Sequence, residues 1–418
     1  MFSLSRLVAI GSLLLAGGGC QTLPPAAPAT IAKGDYAAVV SYLTQRIPYD
    51  MALAKVPGVS IAIVEDQRIV WSTGFGVADA SRHRRATGDT LYRVGAISKI
   101  VTAAGVLHAA DDGRLSLDAP AAGALPDWHV EPRRNAMQWM GAAPYTARNL
   151  LNLHPGTLED TMGRARADMA YALLGDMVAH VSEEPFDAYV RRTILQPLNM
   201  PRAGFRPHER MLEQRAVGYR RGRPWPEAPQ PNEAADGLWV SASEMARFSS
   251  MLFAGGAYGS RAAGNPGGRA EVNVDVSAAV SAAVSADVSA DVSADVSAKV
   301  SADVSAKVSA DVRRVLTAQS AQTLLGLQTV AGDGLDLDCR FALSWLAAPC
   351  DDGVVTATSL REHSGATEAF HSRWVLAPQD KLAVLVMGNS DSSEALVAAV
   401  ATLAMRMMRQ ARQGAGQG

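Results

Sequence analysis

Lys99 is the residue of this 418-residue chain best placed for proton chemistry. It follows Val94-Gly95-Ala96-Ile97-Ser98 and stands at the mouth of an apolar, helical run. Side chains three residues apart on a helix share one face. A serine three positions before a lysine would therefore present a hydroxyl to an amine. An amine near a helix N-terminus and among polar groups can lose enough basicity to accept that hydroxyl's proton. The serine could then attack a carbonyl and form an acyl-enzyme. Here the residue three positions before Lys99 is Ala96, and no lysine in the chain has serine at that spacing. Ser98 is no substitute, because two residues along a helix is a rotation of about 200°. The eight histidines form no HExxH and no close His/Cys cluster, so no metal and no other cofactor is expected.

These residues need elements to hold them. Val59 to Val64 and Ile69 to Gly76 read as two strands, with Glu65-Asp66-Gln67-Arg68 turning between them. Arg82-His83-Arg84-Arg85 reads as a solvated basic loop. Ser98 to Ala110 has an apolar stripe and ends at Asp111-Asp112-Gly113, which predicts a helix. Leu115 to Trp128 is punctuated by proline and irregular. Thr146 to Leu153, Ala170 to Val181 and Phe186 to Ile194 read as helices, as does Ser241 to Phe253 with Ser241 or Ser243 as its cap. Leu316 to Leu327 is helical in pattern. Phe341 to Trp345, Arg373 to Leu376 and Leu382 to Met387 read as strands. Glu394 to Gln410 closes the chain as a helix with Leu396, Val400, Leu403 and Met407 on its apolar stripe. The expected fold class is α/β: an antiparallel sheet built from both chain ends, flanked by helices, with an inserted helical lobe.

Composition sets bounds on this picture. Hydrophobic residues make up 48% of the chain, enough for a large core. Net charge is -2 with both signs mixed, which gives no electrostatic case for binding nucleic acid. Residues 1–20 read as a targeting segment: Arg6, the apolar run Leu7 to Ala16, Gly17-Gly18-Gly19 and then Cys20. Small residues before one cysteine resemble a bacterial lipoprotein cleavage site, with Cys20 lipidated, although Gly17 stands where leucine is usual. A plain secretory signal with an incidental cysteine is the other reading. Residues 21–35 are a Pro/Ala-rich tether. Export would permit a disulfide between Cys339 and Cys350; two small unpaired core residues are the alternative. The expected organisation is one domain over 36–258 and 313–410, a low-complexity insert over 259–312, and a tail over 411–418. Within the insert a valine recurs every four residues from Val276 to Val312. Such a stripe drifts about 40° per repeat, so it makes no lasting helical face. No function is assigned to it.

Five segments, in order, carry a resemblance to a known family. Tyr92-Arg93-Val94-Gly95-Ala96-Ile97-Ser98-Lys99 resembles an aromatic followed by Gly-Ser-x-Ser-Lys. Asp112-Gly113-Arg114-Leu115-Ser116-Leu117-Asp118-Ala119-Pro120 resembles Gly-Lys-Leu-x-Leu-Asp-x-Pro. Thr146 to Leu158 resembles Arg-His-Leu-Leu-Thr-His-Thr-Ser-Gly-Leu. Ala235 to Phe248 resembles Gly-Gly-Leu-Ser-x-x-Asp-x-Ala-Arg-Phe. His363-Ser364-Gly365, Pro378 and Asn389 match a closing sheet. Together, over about residues 36 to 410, the chain resembles the serine β-lactamase, penicillin-binding protein and esterase superfamily, most closely its class C-like branch.

The resemblance implies a role for each position. Ala96 stands at the nucleophile, Lys99 at its amine partner, and His363 and Gly365 on the third wall of the cleft. The family's Tyr-Ser-Asn precedes a helix that reads here Tyr171-Ala172-Leu173-Leu174-Gly175. Counting back gives Arg166 at the tyrosine and Asp168 at the asparagine. Only Glu159 to Ala165 separate this motif from the preceding segment, which implies that a substrate-cleft loop is absent. His154 is expected to be structural. The expectation is an exported, envelope-located serine-hydrolase homologue, impaired because Ala96 replaces the nucleophile. It would be a pseudoenzyme taking a peptidoglycan fragment, a β-lactam, an acyl ester or amide, or a protein partner, and held at the membrane by its lipid. An active esterase, β-lactamase or peptidase with another nucleophile is the alternative, and a decaying gene product a third.

Overall fold

The computed structural model describes residues 23–125, 145–152, 161–227, 232–259, 313–328, 340–342, 345–347 and 360–414. Its centre is a nine-stranded antiparallel sheet. The N-terminal part of the chain supplies β1 (Gly58–Glu65), β2 (Arg68–Asp79) and β3 (Arg84–Arg85). Three further pairs of short strands are described: β4 (Leu91–Arg93) with β7 (Trp239–Ser241), β5 (Gly218–Arg220) with β6 (Arg223–Trp225), and β8 (Ala257–Tyr258) with β9 (Arg313–Arg314). The C-terminal part supplies β10 (Leu327–Gln328), β11 (Arg340–Ala342), β12 (Trp345–Ala347), β13 (Arg361–Ala366), β14 (His371–Ala377) and β15 (Leu382–Gly388). The spatial order is β10-β11-β12-β13-β14-β15-β1-β2-β3, so the two chain ends meet where β15 pairs with β1.

Both faces of this sheet are covered, which explains the nearly unbroken apolar runs in β1 and β15. Val59, Ile61 and Ile63 alternate with Ala62 and Val64, and the two sets enter different cores. Leu382, Val384 and Val386 alternate in the same way with Ala383, Leu385 and Met387. A period of two sends successive side chains to opposite faces. On one face lie α1 (Tyr36–Ala54) and the closing helix α10 (Glu394–Gln413). On the other face the helical lobe packs, built on α2 (Ser98–Asp111), α3 (Ala147–Leu151), α4 (Thr161–Ser182), α5 (Phe186–Val190), α6 (Glu209–Leu212), α7 (Glu233–Asp236), α8 (Ala242–Phe253) and α9 (Ala318–Leu325). Sheet, flanking helices and inserted lobe are as the sequence led us to expect.

Local departures have local causes. The helix α1, with Pro48 inside it, was not foreseen; its Asp35 cap accepts from the Ala38 N–H. α4 begins nine residues before the expected Ala170. Leu316 to Leu327 is only partly helical: α9 is capped by Thr317 and ends at Leu325, and Leu327 enters the sheet. The expected strand from Phe341 to Trp345 is two strands, β11 and β12. Arg84 and Arg85 of the basic loop pair with β2, and Arg84 donates to the Arg215 carbonyl. α8 is capped by Ser241, whose hydroxyl accepts from the Glu244 N–H while Glu244 accepts back from the Ser241 N–H. No helix among the described residues is long and apolar enough to cross a membrane. Cys20, His154, Cys339, Cys350 and the valine repeat lie outside the described residues.

Candidate functional site

The mouth of α2 is set by backbone constraints. β4 ends at Arg93, Gly95–Ile97 form one 3-10 turn, and the α-helix then begins at Ser98. Gly95 has φ +54, a conformation that side chains with a Cβ rarely adopt. A Cβ there would also stand 2.7 Å from both the N and O of Ala366. Gly365 is equally confined, since a Cβ on it would lie 1.8 Å from the Val94 carbonyl oxygen. Strand β13 is thereby laid directly against the turn that carries Ala96. Ser372 of β14 fastens the contact by donating to the Val94 carbonyl at 3.1 Å.

Register decides what β13 offers at this contact. Thr367 donates to the Phe370 carbonyl, so residues 367 and 370 form a hydrogen-bonded pair. Pairs alternate along an antiparallel ladder, which makes Ala366 and His371 the non-bonded pair between 367/370 and 365/372. The Ala366 N–H therefore points away from β14, on the side where Gly95 lies. His363, on the same strand, stands opposite Trp374 in the register. Its ring meets the buried Trp345 edge-on at 6.5 Å, and its Nδ1 lies 2.8 Å from the Ser364 carbonyl.

Ala96 is half-buried, and Lys99 is buried beneath it on the same helix mouth. The Lys99 Nζ donates to Asp168 Oδ1 at 2.6 Å and to the Ala235 carbonyl at 3.5 Å, and lies 3.5 Å from Asp236 Oδ1. Three helices thus converge on one ammonium: α2 brings Lys99, α4 brings Asp168, and α7 brings Ala235 and Asp236. Burial raises the Asp236 carboxyl above its ordinary value. Lys99 opposes that rise, and the nearby Asp168 adds to it. Ser98 is fully buried and fully engaged: its Oγ donates to the Gly95 carbonyl at 2.5 Å and accepts from the Leu238 N–H at 3.0 Å. That hydroxyl ties the turn to the segment after α7 and cannot swing toward position 96 without leaving both partners.

The structure therefore brings Ala96, Lys99 and Asp168 to one place, with Gly365 pressed on the adjoining turn. Asp168 pairs with Lys99. Arg166 lies on α4, and its side chain is outside the described residues. The residue that sequence reasoning missed is Asp236. A signal was available: in the segment resembling Gly-Gly-Leu, the first glycine position is Asp236, a charged residue where the pattern has none. Among the described residues no group of three or more His, Cys, Asp or Glu side chains could hold a metal ion.

Comparison with known proteins agrees with this architecture. A family model described as Beta-lactamase matches residues 43–406. Protein flp of Staphylococcus aureus (strain MRSA252) is 23% identical over 203 residues, which cover 41% of this chain and 40% of that protein. The chain thus spans well under half the length of that relative. Among solved structures, D-alanine carboxypeptidase AmpC from Burkholderia cenocepacia superposes with a TM-score of 0.60 at 17% identity, covering 89% of this chain and 100% of the other. The class C β-lactamase from Rhodobacter sphaeroides gives 0.59 at 17% identity, covering 89% and 99%. At such identities the structural likeness concerns the fold alone.

Proposed function

The chain belongs to the beta-lactamase family, and on that premise we propose that it is a catalytically silent member that binds ligands without cleaving them. The observation that carries this reading is the environment of Lys99. At the position where the family resemblance puts the nucleophile, Ala96 offers only a methyl group. The neighbouring amine is directed at three oxygens, those of Asp168, Asp236 and Ala235. An amine held as a donor to carboxylate and carbonyl oxygens is poorly placed to take a proton from a residue at position 96. Losing the nucleophile of a serine hydrolase costs on the order of 10⁶ in turnover.

The cleft between the α2 mouth and β13 keeps features suited to binding. Ala96 is half-buried there, and the Ala366 N–H faces away from β14 on the Gly95 side. A backbone N–H in such a position suits a carbonyl or carboxylate oxygen. We take the ligand to be a peptidoglycan fragment, a β-lactam, or an acyl ester or amide. The location we propose is the cell envelope of a bacterium, with the chain exported by residues 1–20 and anchored through a lipid on Cys20.

The decisive experiment incubates the purified protein with a fluorescent penicillin, a chromogenic cephalosporin and a p-nitrophenyl ester. The expected result is neither covalent labelling nor turnover above background. Labelling or turnover well above it would overturn the silent reading in favour of an active hydrolase. Muropeptides at about 100 times their Kd should stabilise the fold by roughly 2.7 kcal/mol. No shift across a broad panel would remove the binding reading. Mass spectrometry of the membrane-extracted protein, finding Cys20 without acyl chains, would remove the anchor.

A further inference from the structure

Lys99 is buried at the α2 mouth, three residues after an alanine, which raises the question of what it does there. Its surroundings answer in terms of charge. Asp168 reaches it from α4 and Asp236 from α7, with side chains only 21% and 25% exposed. Two carboxylates this enclosed are costly unless a cation sits between them. Lys99 is that cation, and its own side chain is 5% exposed.

The packing around α7 depends on the same contact. α7 is four residues long and cannot hold its place by its own hydrogen bonds. It is fixed from α2 at two points: Thr102 donates to the Ala234 carbonyl at 2.6 Å, and Lys99 donates to the Ala235 carbonyl. From the other side α4 approaches so closely at Gly175 that a Cβ there would lie 2.7 Å from the Ala234 methyl. Asp168 and Asp236 are therefore brought near each other by backbone packing, whatever their charges. The segment that α7 starts continues through Leu238, which is bound to Ser98, into β7 beside the α2 mouth.

We infer that Lys99 serves in this chain as the counter-ion of Asp168 and Asp236, fastening α4 and α7 to α2, and that Asp236 is the second anchor of this clamp. The inference rests on the silent reading given above, because a lysine committed to two carboxylates is unavailable for proton transfer. It replaces the role that the family resemblance assigns to Lys99 with an electrostatic, positioning one. Asp236 stands at a position where the resembling segment has glycine, so this half of the clamp belongs to this chain's own sequence.

Thermal unfolding of the full chain tests the clamp. Lys99→Met removes the cation in contact with both carboxylates and leaves Asp236 only the weaker pull of Arg93, and the midpoint should fall by about 5 °C or more. The triple variant Lys99→Met/Asp168→Asn/Asp236→Asn removes the cation and both anions together, and its midpoint should return to within about 2 °C of the unaltered protein. Asp236→Asn added to Lys99→Met should recover part of the lost midpoint, and no recovery would remove Asp236 from the clamp. Should Lys99→Met fail to fold, a folded triple variant is the same supporting result. Equal losses in Lys99→Met and the triple variant would show a packing role and overturn the inference. So would no loss in Lys99→Met, or a triple variant that does not fold. The hydrolase assays on unaltered protein keep the two readings apart. Turnover that Lys99→Met abolishes would sink the silent reading, whereas the rescue pattern alone decides the clamp.

Discussion

Placing a hydroxyl at position 96 is the perturbation that tests the silent reading proposed above. Ala96→Ser would place a hydroxyl three residues before Lys99, on the half-buried side of the α2 mouth. Two requirements then remain for acyl transfer. Backbone donors must meet the oxyanion, and a base must take the serine proton. Register supplies at least the Ala366 N–H for the first. For the second, Lys99 already has Asp168 at 2.6 Å, with Asp236 and the Ala235 carbonyl each at 3.5 Å. General-base assistance is worth about 10²–10⁴ in rate. Without it, Ala96→Ser should recover no more than about 100-fold of the roughly 10⁶ lost with the nucleophile. The remaining deficit of about 10⁴ corresponds to roughly 5.4 kcal/mol of activation free energy. The assay is hydrolysis of a p-nitrophenyl ester at neutral pH, paired with fluorescent-penicillin labelling read on a denaturing gel. Turnover near 1 s⁻¹, in the ordinary enzyme range of about 1–10³ s⁻¹, would refute the reasoning. It would mean that Lys99 leaves its carboxylates when a hydroxyl arrives.

Three further outcomes follow from the same geometry. Gly365→Ala would force β13 off the α2 mouth, because the new methyl would stand 1.8 Å from the Val94 oxygen. A loss of about 1–3 kcal/mol, the usual range for overpacking, is expected in denaturant unfolding, and an unchanged midpoint would contradict the contact. Ser98→Ala would leave the buried Leu238 N–H without its side-chain acceptor, costing about 1–3 kcal/mol by the same measurement, and a neutral result would refute the tie. Stability should also depend on Asp236 through pH. Its folded carboxyl titrates above the ordinary 3.8, chiefly through burial, so within that window the folded state holds a proton that the unfolded chain has released. The contribution is therefore complete below 3.8 and declines as pH rises through the raised folded value. Asp236→Asn should flatten that part of the stability–pH curve, and an identical curve for both proteins would refute the assignment.

Much of the fold was legible in the residues. The hairpin β1–β2 was marked by two apolar runs and a polar turn. Ser241, one of the two candidate caps, announced α8, and the stripe of Leu396, Val400 and Met407 announced α10. α1 escaped because Pro48 interrupts its pattern and its buried face is completed only by α10 and the sheet. Leu327 was read as helical because a short apolar run carries no period of its own, and pairing with β11 decided its state. In the site, the spacing of Ala96 and Lys99 was visible in the chain, as were the histidine and glycine of β13.

The sequence by itself determined that a methyl group stands three residues before Lys99 on a helix mouth, because local spacing fixes which side chains share a turn. It also determined the sheet-and-lobe architecture, because apolar periodicity reports which faces must be buried. Only the tertiary structure decided the fate of the lysine. Asp168 is 69 residues from Lys99 in the chain, and the Ala235 carbonyl is 136 residues away. Whether an amine meets a hydroxyl or carboxylates depends on how α4 and α7 pack on α2, and no local pattern encodes that packing. Ala96 puts a methyl where the family resemblance places the nucleophile, and the packing of α4 and α7 puts Asp168 and Asp236 beside Lys99.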